Sequence, residues 1–275
     1  MSFISLRNVS YTYPNGFNAV EEIDMSFEKG EAVAIIGQNG AGKTTAVKLM
    51  NGLLKPTEGE VIIDNWNTKD YTTAQISRKV GYVFQNPDEE IFHTTVYGEI
   101  EFGPKNLGLN FEEIKERVTK AAELLKITEY LKEHPYNLPF SIRKFVTIAS
   151  VIAMNPDVYI FDEPTAGQDV KALKQLGNLI KTLRDSGKTV IIITHDMEFV
   201  IQNFDRVIVL ANKSKIADAQ KSQVFWNYEI LKKSMLKQPC ASQLSNALNI
   251  KGERILSIND MVQYLETNSL EKASM

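Results

Sequence analysis

A chain of 275 residues with 43% hydrophobic and 24% charged residues can bury a sizeable core, so intrinsic disorder is not expected. A formal charge of -3 gives no sign of a broad basic surface for nucleic acid, and the single cysteine, Cys240, excludes an internal disulfide framework and a cysteine-rich metal site. The apolar runs, such as T-V-I-I-I-T at 189–194, fall far short of the roughly 20 residues a membrane-spanning helix needs. M-S-F-I-S-L-R-N-V-S lacks a basic region followed by an apolar run, so no export signal is expected. The expected setting is a reducing cytosol, and any work at a membrane would need another subunit as anchor.

Apolar residues at Ile4, Leu6, Val9, Tyr11 and Tyr13 keep a period near two with one slip, and Ile23, Met25 and Phe27 resume it. The pattern predicts strands of a partly exposed antiparallel sheet. A-V-A-I-I at 32–36 is a short strand of the kind buried on both faces, followed by a glycine loop and a helix from about Lys43 to Gly52. Lys55-Pro56-Thr57-Glu58-Gly59 predicts a turn, with strands at E-V-I-I-D and V-G-Y-V-F (80–84) beyond it. From Asn86 to Ser150 the spacing becomes helical: Ile114, Val118, Ala121 and Leu125 share one face, and Ile142, Phe145, Ile148, Ala149 and Ile152 another. Asn155-Pro156-Asp157 closes this insertion. Two further buried strands, V-Y-I-F (158–161) and T-V-I-I-I (189–193), flank a helix from about Val170 to Asp185 that ends at Gly187. Such alternation predicts a parallel sheet with right-handed crossovers. After R-V-I-V-L and a turn near Asn212, the chain passes through Q-V-F-W-N-Y-E-I-L to two helices, near Ser242–Leu248 and Ser257–Glu266. Ser257 and Asp260 set a capping pattern on the second.

G-Q-N-G-A-G-K-T-T comprises Gly37, Gln38, Asn39, Gly40, Ala41, Gly42, Lys43, Thr44 and Thr45. It matches G-x-x-x-x-G-K-[ST] after a buried strand and before a helix, the context this phosphate loop requires. Glycines let the backbone aim amides at phosphate oxygens, and the helix N-terminus adds partial positive charge. Lys43 is expected to reach the β- and γ-phosphates of ATP, and Thr44 to hold Mg²⁺. Y-I-F-D-E-P at 159–164 ends a strand in two acids: Asp162 suits the hydrated metal, Glu163 an attacking water. Alone, that pair would read as a solvated turn; the phosphate loop reverses the reading. His195, after T-V-I-I-I-T, lies where a parallel sheet gathers its ligand loops, and contact with the γ-phosphate or the water is assigned to it. The fold class is α/β: a P-loop ATPase core with a mostly parallel sheet, an N-terminal antiparallel β subdomain, a helical insertion over about 86–154, and a small appendix over 226–275.

Across residues 1 to about 225 the order of G-Q-N-G-A-G-K-T-T, V-F-Q-N-P, Y-I-F-D-E-P-T, A-G-Q-D and I-I-I-T-H-D resembles the nucleotide-binding subunit of ABC transporters. The resemblance implies that Tyr13 stacks on adenine, with Tyr11 a neighbouring alternative. It implies that Gln85 joins the Mg²⁺ shell and senses the membrane partner, and that Asp169 crosses a dimer interface. Y-T-Y-P, V-F-Q-N-P and the C-terminal appendix look like the ATPase subunits of energy-coupling factor transporters. That implies import of a vitamin or a transition-metal ion, with a transmembrane coupling protein and a membrane substrate-binding subunit, at the cytoplasmic face. An ATPase acting on ribosomes or DNA fits less well, since such proteins carry two of these domains or a long inserted coiled coil. A non-hydrolysing regulatory module is the other alternative, and the intact Glu163 argues against it.

One segment departs from the family. Where L-S-G-G-Q is usual, N-L-P-F-S-I-R-K-F-V-T-I-A-S (137–150) puts Leu138, Pro139, Phe140, Ser141 and Ile142. Pro139 removes an amide donor, and Phe140 and Ser141 replace both glycines with side chains where a charged ligand must approach. In the family, two subunits enclose two ATP molecules, each between one chain's phosphate loop and the other's signature. The expectation is a heterodimer with a different chain carrying an intact signature, giving one competent and one degenerate site.

Overall fold

In the computed structural model, which describes residues 2–250 and 254–273, strand β3 (Ala32–Ile36) runs between β8 (Thr189–Ile193) and β9 (Arg206–Ala211), parallel to both. Ala34 and Ile36 face one core, Val33 and Ile35 the other, which is why the strand carries apolar residues without alternation. Strands β6 (Val80–Val83) and β7 (Val158–Asp162) extend the sheet on the β8 side. On the other side an antiparallel edge strand, β10 (Ser214–Gln220), completes the order β10-β9-β3-β8-β7-β6.

A second sheet, in the order β2-β1-β4-β5, is the expected antiparallel subdomain: β1 (Ile4–Thr12), β2 (Asn18–Phe27), β4 (Glu58–Ile63) and the short β5 (Trp66–Asn67). Its inward residues, among them Ile4, Leu6, Ile23, Met25 and Phe27, pack with α1 (Lys43–Met50) and with Val33, Ile35, Ile191, Ile193 and Ile208 of the parallel sheet. The slip in the sequence period of β1 is real: its register shifts between Leu6 and Val9, where Asn8 takes φ 48°. A short α2 (Thr73–Ile76) precedes β6.

The opposite face of the parallel sheet is covered by helices. The insertion comprises α3 (Val96–Asn106), α4 (Phe111–Leu124) and α5 (Phe140–Met154). Ile114, Val118, Ala121 and Leu125 are buried as their spacing predicts; on α5, Phe145, Ile148 and Ala149 are buried and Ile142 and Ile152 are half-buried. Asn155 ends α5 in the left-handed conformation (φ 56°), and the buried Pro156 leads into β7. Helices α6 (Val170–Asp185) and α7 (Met197–Asn203) pack on the same face. After β10 come α8 (Lys221–Phe225), α9 (Tyr228–Ser234), α10 (Cys240–Ala247) and α11 (Ile258–Ala273). Leu231 and Leu256 enter the main core, while Ala241, Ile255 and Met261 make a small cluster of their own. The expected Ser257 cap is present: the Asp260 amide donates to Ser257 Oγ at 3.1 Å. Of the appendix expected over 226–275, residues 251–253 and 274–275 lie outside the described residues. No helix among the described residues is long and apolar enough to cross a membrane.

Candidate active site

The sheet register brings the sequence motifs together. Ile35 pairs with Ile193, and Ile193 pairs with Asp162, so the carboxyl ends of β3, β8 and β7 finish side by side. The phosphate loop leaves β3, Asp162 closes β7, Glu163 follows it, and His195 lies two residues beyond β8. A cavity of about 190 Å³ opens there, lined by Asn39, Gly40, Gly42, Lys43, Thr44, Thr45, Gln85, Glu163 and His195, with Phe17 and Ala19 at its side. A larger groove, about 630 Å³, lies between α6 and α7, but it sets Lys174, Lys181 and Arg184 beside Asp196 and Glu198 and has no phosphate-cradling loop.

Two glycines make the loop possible. Gly37 (φ 149°) passes so close to the Leu210 carbonyl that any side chain would collide with it. Gly42 (φ 97°), the N-cap of α1, would place a Cβ 2.6 Å from the Ala19 carbonyl oxygen. Lys43 is buried and its ammonium folds back to donate to the carbonyls of Gly37 (2.8 Å) and Gln38 (2.9 Å). Burial lowers its pKa, while Glu163 and Asp162 pull it upward.

Asp162 is 2% exposed. Its carboxylate accepts from the Tyr82 hydroxyl at 2.7 Å and from Thr44 Oγ1 at 3.4 Å. Glu163 takes φ 49°, a conformation disfavoured for a residue with a side chain. Its amide donates to the Ile193 carbonyl at 2.8 Å; its carbonyl accepts from Lys144 Nζ at 2.7 Å; its Oε2 accepts from the His195 amide at 3.2 Å. His195 Nε2 lies 2.9 Å from Glu163 Oε1. Burial pushes the Glu163 carboxyl up to about 7, against the lowering effect of the His195 amide and Lys43. Burial also lowers His195, with Lys43 adding to it. A buried carboxyl poised near neutrality has the chemistry of a general base.

The remaining expected residues fall outside this cluster or at its rim. Tyr13 is half-buried, its hydroxyl 3.2 Å from Thr45 Oγ1, in edge contact with the buried Tyr11. Phe17, which the sequence reading did not single out, is 52% exposed and reaches the cavity. Asp169 is exposed and caps α6 by accepting from the Ala172 amide at 2.7 Å. Two residues that were not expected, Tyr82 and Lys144, hold Asp162 and Glu163. Their only sequence signals are a tyrosine in the strand before Gln85 and a lysine at the head of the apolar run that begins at Phe145.

The donor set suits Mg²⁺ in its usual form. Among the described residues no group of three or more His, Cys, Asp or Glu forms a closed metal cage, but Thr44 and Asp162 converge beside the phosphate loop. Magnesium on a nucleotide takes one or two protein oxygens and completes its shell with phosphates and water.

At the signature position Pro139 (φ -54°, ψ 151°) is the N-cap of α5 and contributes no side-chain cap. Phe140 is 38% exposed, and its ring would lie 3.1 Å from a Cβ added at Gly167. Gln168 Nε2 reaches the Ser141 carbonyl at 3.4 Å.

Residues 20–166 match the family described as ABC transporter. The energy-coupling factor transporter ATP-binding protein EcfA of Methanothermobacter thermautotrophicus is 40% identical over 252 residues, covering 90% of this chain and 81% of EcfA. Among solved structures, CbiO1 of Clostridium perfringens, described as part of the ABC transporter complex CbiONQ, superposes with a TM-score of 0.76 at 32% identity, over 90% of this chain and 99% of CbiO1. The ATP-binding cassette MJ0796, in a dimeric post-hydrolysis state bound to ADP and Pi, gives 0.73 at 29% identity, over 79% of this chain and 98% of that one. With the two-sheet core agreeing with these likenesses, the chain belongs to the ABC transporter family, whose ATP-binding subunits are ATPases.

Proposed function

We propose that this chain is one of two unlike ATPase subunits that power an importer of the energy-coupling factor kind, carrying a vitamin or a transition-metal ion. The observation that carries the reading is the inequality of its two halves: a complete phosphate half on Lys43, Asp162, Glu163 and His195, against a signature position filled by Pro139 and Phe140. A partner with an intact signature would face the first half across the dimer, with Asp169 at the interface. The second half would serve a degenerate site. Likeness to EcfA and to a component of CbiONQ supports the importer reading.

Adenine rests against Tyr13, with Phe17 beside it. Amides of residues 37–45 and the Lys43 ammonium bind the phosphates, after Lys43 leaves the Gly37 and Gln38 carbonyls. Thr44 and Asp162, with Gln85 nearby, would hold Mg²⁺, which would supply positive charge to offset that of the phosphates. Glu163 takes a proton from the attacking water as its oxygen bonds to the γ-phosphorus and the bond from that phosphorus to the β–γ bridging oxygen breaks, releasing ADP and phosphate; His195 fixes the Glu163 carboxylate. Gln85 opens the loop 85–92, after which Phe92 (63% exposed), His93 and Phe102 form an aromatic cluster at the surface. That cluster is an apolar seat for helices of a transmembrane coupling protein, which would keep this chain peripheral at the cytoplasmic face.

ATP turnover tests the reading, measured on the purified chain over a concentration series and on the complex co-purified from membranes. Activity confined to the complex, and abolished there by Glu163→Gln, is expected. Turnover by the isolated chain that rises steeply with its concentration would sink the unlike-subunit reading.

A further inference from the structure

We propose that Lys144 is a positioning residue for ATP hydrolysis: its buried ammonium fixes the main chain of Glu163 and thereby the direction of the Glu163 side chain. The inference rests on the reading of Glu163 as the group that activates water.

Lys144 stands near the start of α5 and is 3% exposed. Arg143 before it is half-buried and pairs with Asp88, but Lys144 itself lies on the buried side with Phe145 and Val146, where packing alone would favour an apolar residue. A buried ammonium instead carries a desolvation cost that only a specific partner offsets. The partner is the Glu163 carbonyl, 2.7 Å from Nζ, and the Phe140 ring lies over the amine at 5.5 Å. Burial brings the amine down to about 8 against the opposing pull of Glu163 and Asp162.

What Lys144 holds is a strained residue. Glu163 sits at φ 49°, and such a conformation persists only where its surroundings over-determine it. Ile193 pins the peptide group before the Glu163 α-carbon through the amide, at 2.8 Å. Lys144 pins the group after it through the carbonyl. With both peptide planes held, the side chain is delivered to His195, 2.9 Å away. Without the amine, the carbonyl keeps the longer contact from the Ala166 amide at 3.3 Å, and rotation after the α-carbon loses its main restraint. A misplacement of about 1 Å at a catalytic group can cost on the order of 100-fold in rate.

The test is steady-state ATP turnover of the complete complex carrying Lys144→Met, Lys144→Gln or Lys144→Arg, with Glu163→Gln as a separate control. Lys144→Met is expected to lower kcat at least tenfold with KM for ATP within twofold. Lys144→Arg, which keeps a charged donor of similar reach, is expected to recover to within threefold of wild type. A Met variant within twofold of wild-type kcat overturns the inference. So does an Arg variant as impaired as the Met one, which marks a packing defect. If the Met variant does not assemble, the Gln variant decides: kcat at least fivefold lower at unchanged KM is expected, and wild-type kcat overturns the inference. Wild-type turnover in Glu163→Gln would remove the water-activation reading itself, whereas its loss beside an unimpaired Lys144→Met would remove only the role of Lys144.

Discussion

The segments 37–45 and 138–142 each run into the first turn of a helix, α1 and α5, yet they prepare opposite surfaces. In the first, Gly37 and Gly42 adopt positive φ and bring backbone close to Leu210 and Ala19, leaving a cavity lined by Asn39, Gly40, Gly42 and Lys43. In the second, Pro139 has no amide hydrogen and Phe140 fills the approach, its ring lying against Gly167. A helix N-terminus attracts anions only when the chain before it leaves room for them. With proline and phenylalanine there, the same element becomes a support for the neighbouring Glu163 loop.

The widest separation between these regions is expected on replacing one residue in each. In the assembled complex, Lys43→Ala should lower kcat/KM for ATP by roughly 100-fold, about 2.7 kcal/mol of transition-state stabilisation. Ser141→Ala should leave it within about twofold. Phosphate release measures both, and equal losses would erase the distinction.

A smaller but more direct effect is expected from rebuilding the second region. Pro139→Ser, Phe140→Gly and Ser141→Gly combined should raise turnover of the isolated chain on the order of tenfold, steeply with its concentration, as a restored amide donor set would do in a homodimer. No gain at any concentration would mean that something other than these three side chains limits the site.

An effect on stability rather than turnover concerns the loop that follows Gln85 and packs against α5. Burial raises the Glu90 carboxyl from 4.5 to about 8, against hydrogen bonds from the Phe84 backbone and Thr147. The folded state therefore keeps a proton that the unfolded chain has released, and this group costs stability as pH rises from about 4.5 through 8. Glu90→Gln removes that cost. In urea unfolding the variant should match wild type near pH ~4 and exceed it by on the order of 2 kcal/mol at pH ~9. A constant difference across pH would show that Glu90 is not held protonated.

How much of this was legible in the sequence depends on how local the cause is. Strands β3 and β8 are enclosed on both faces, so their burial is written as unbroken apolar runs, and 32–36 and 189–193 coincide with the observed bounds. Helix α6 begins at the Asp169 cap and ends before Gly187, and Val170–Asp185 is likewise recovered. Strand β10 escaped because it is an edge: from Ser214 to Ala219 it is half-buried on both faces, and no period of two survives. The short α8 and α9 were passed over as continuing chain, and α11 runs on to Ala273 beyond the expected Glu266. At the site, the phosphate loop is contiguous and reads directly. Asp162, Glu163 and His195 required the parallel register to meet. Tyr82 and Lys144 touch them through tertiary packing alone, and neither residue type advertises that role in a strand or an apolar helix.

The position of β3 bears on the birth of the protein. Its two neighbours, β8 and β9, lie about 150 residues or more further along the chain. On the ribosome the strand that launches the phosphate loop is therefore made early and flanked late, with both hydrogen-bonding edges unpaired until residues 189–211 have emerged. A product terminated before Thr189 would carry that apolar strand with its edges open, a template for pairing with other chains. Shielding of nascent chains matters most for this protein during that interval, and premature stop codons upstream of β8 leave aggregation-prone fragments rather than partly active ones.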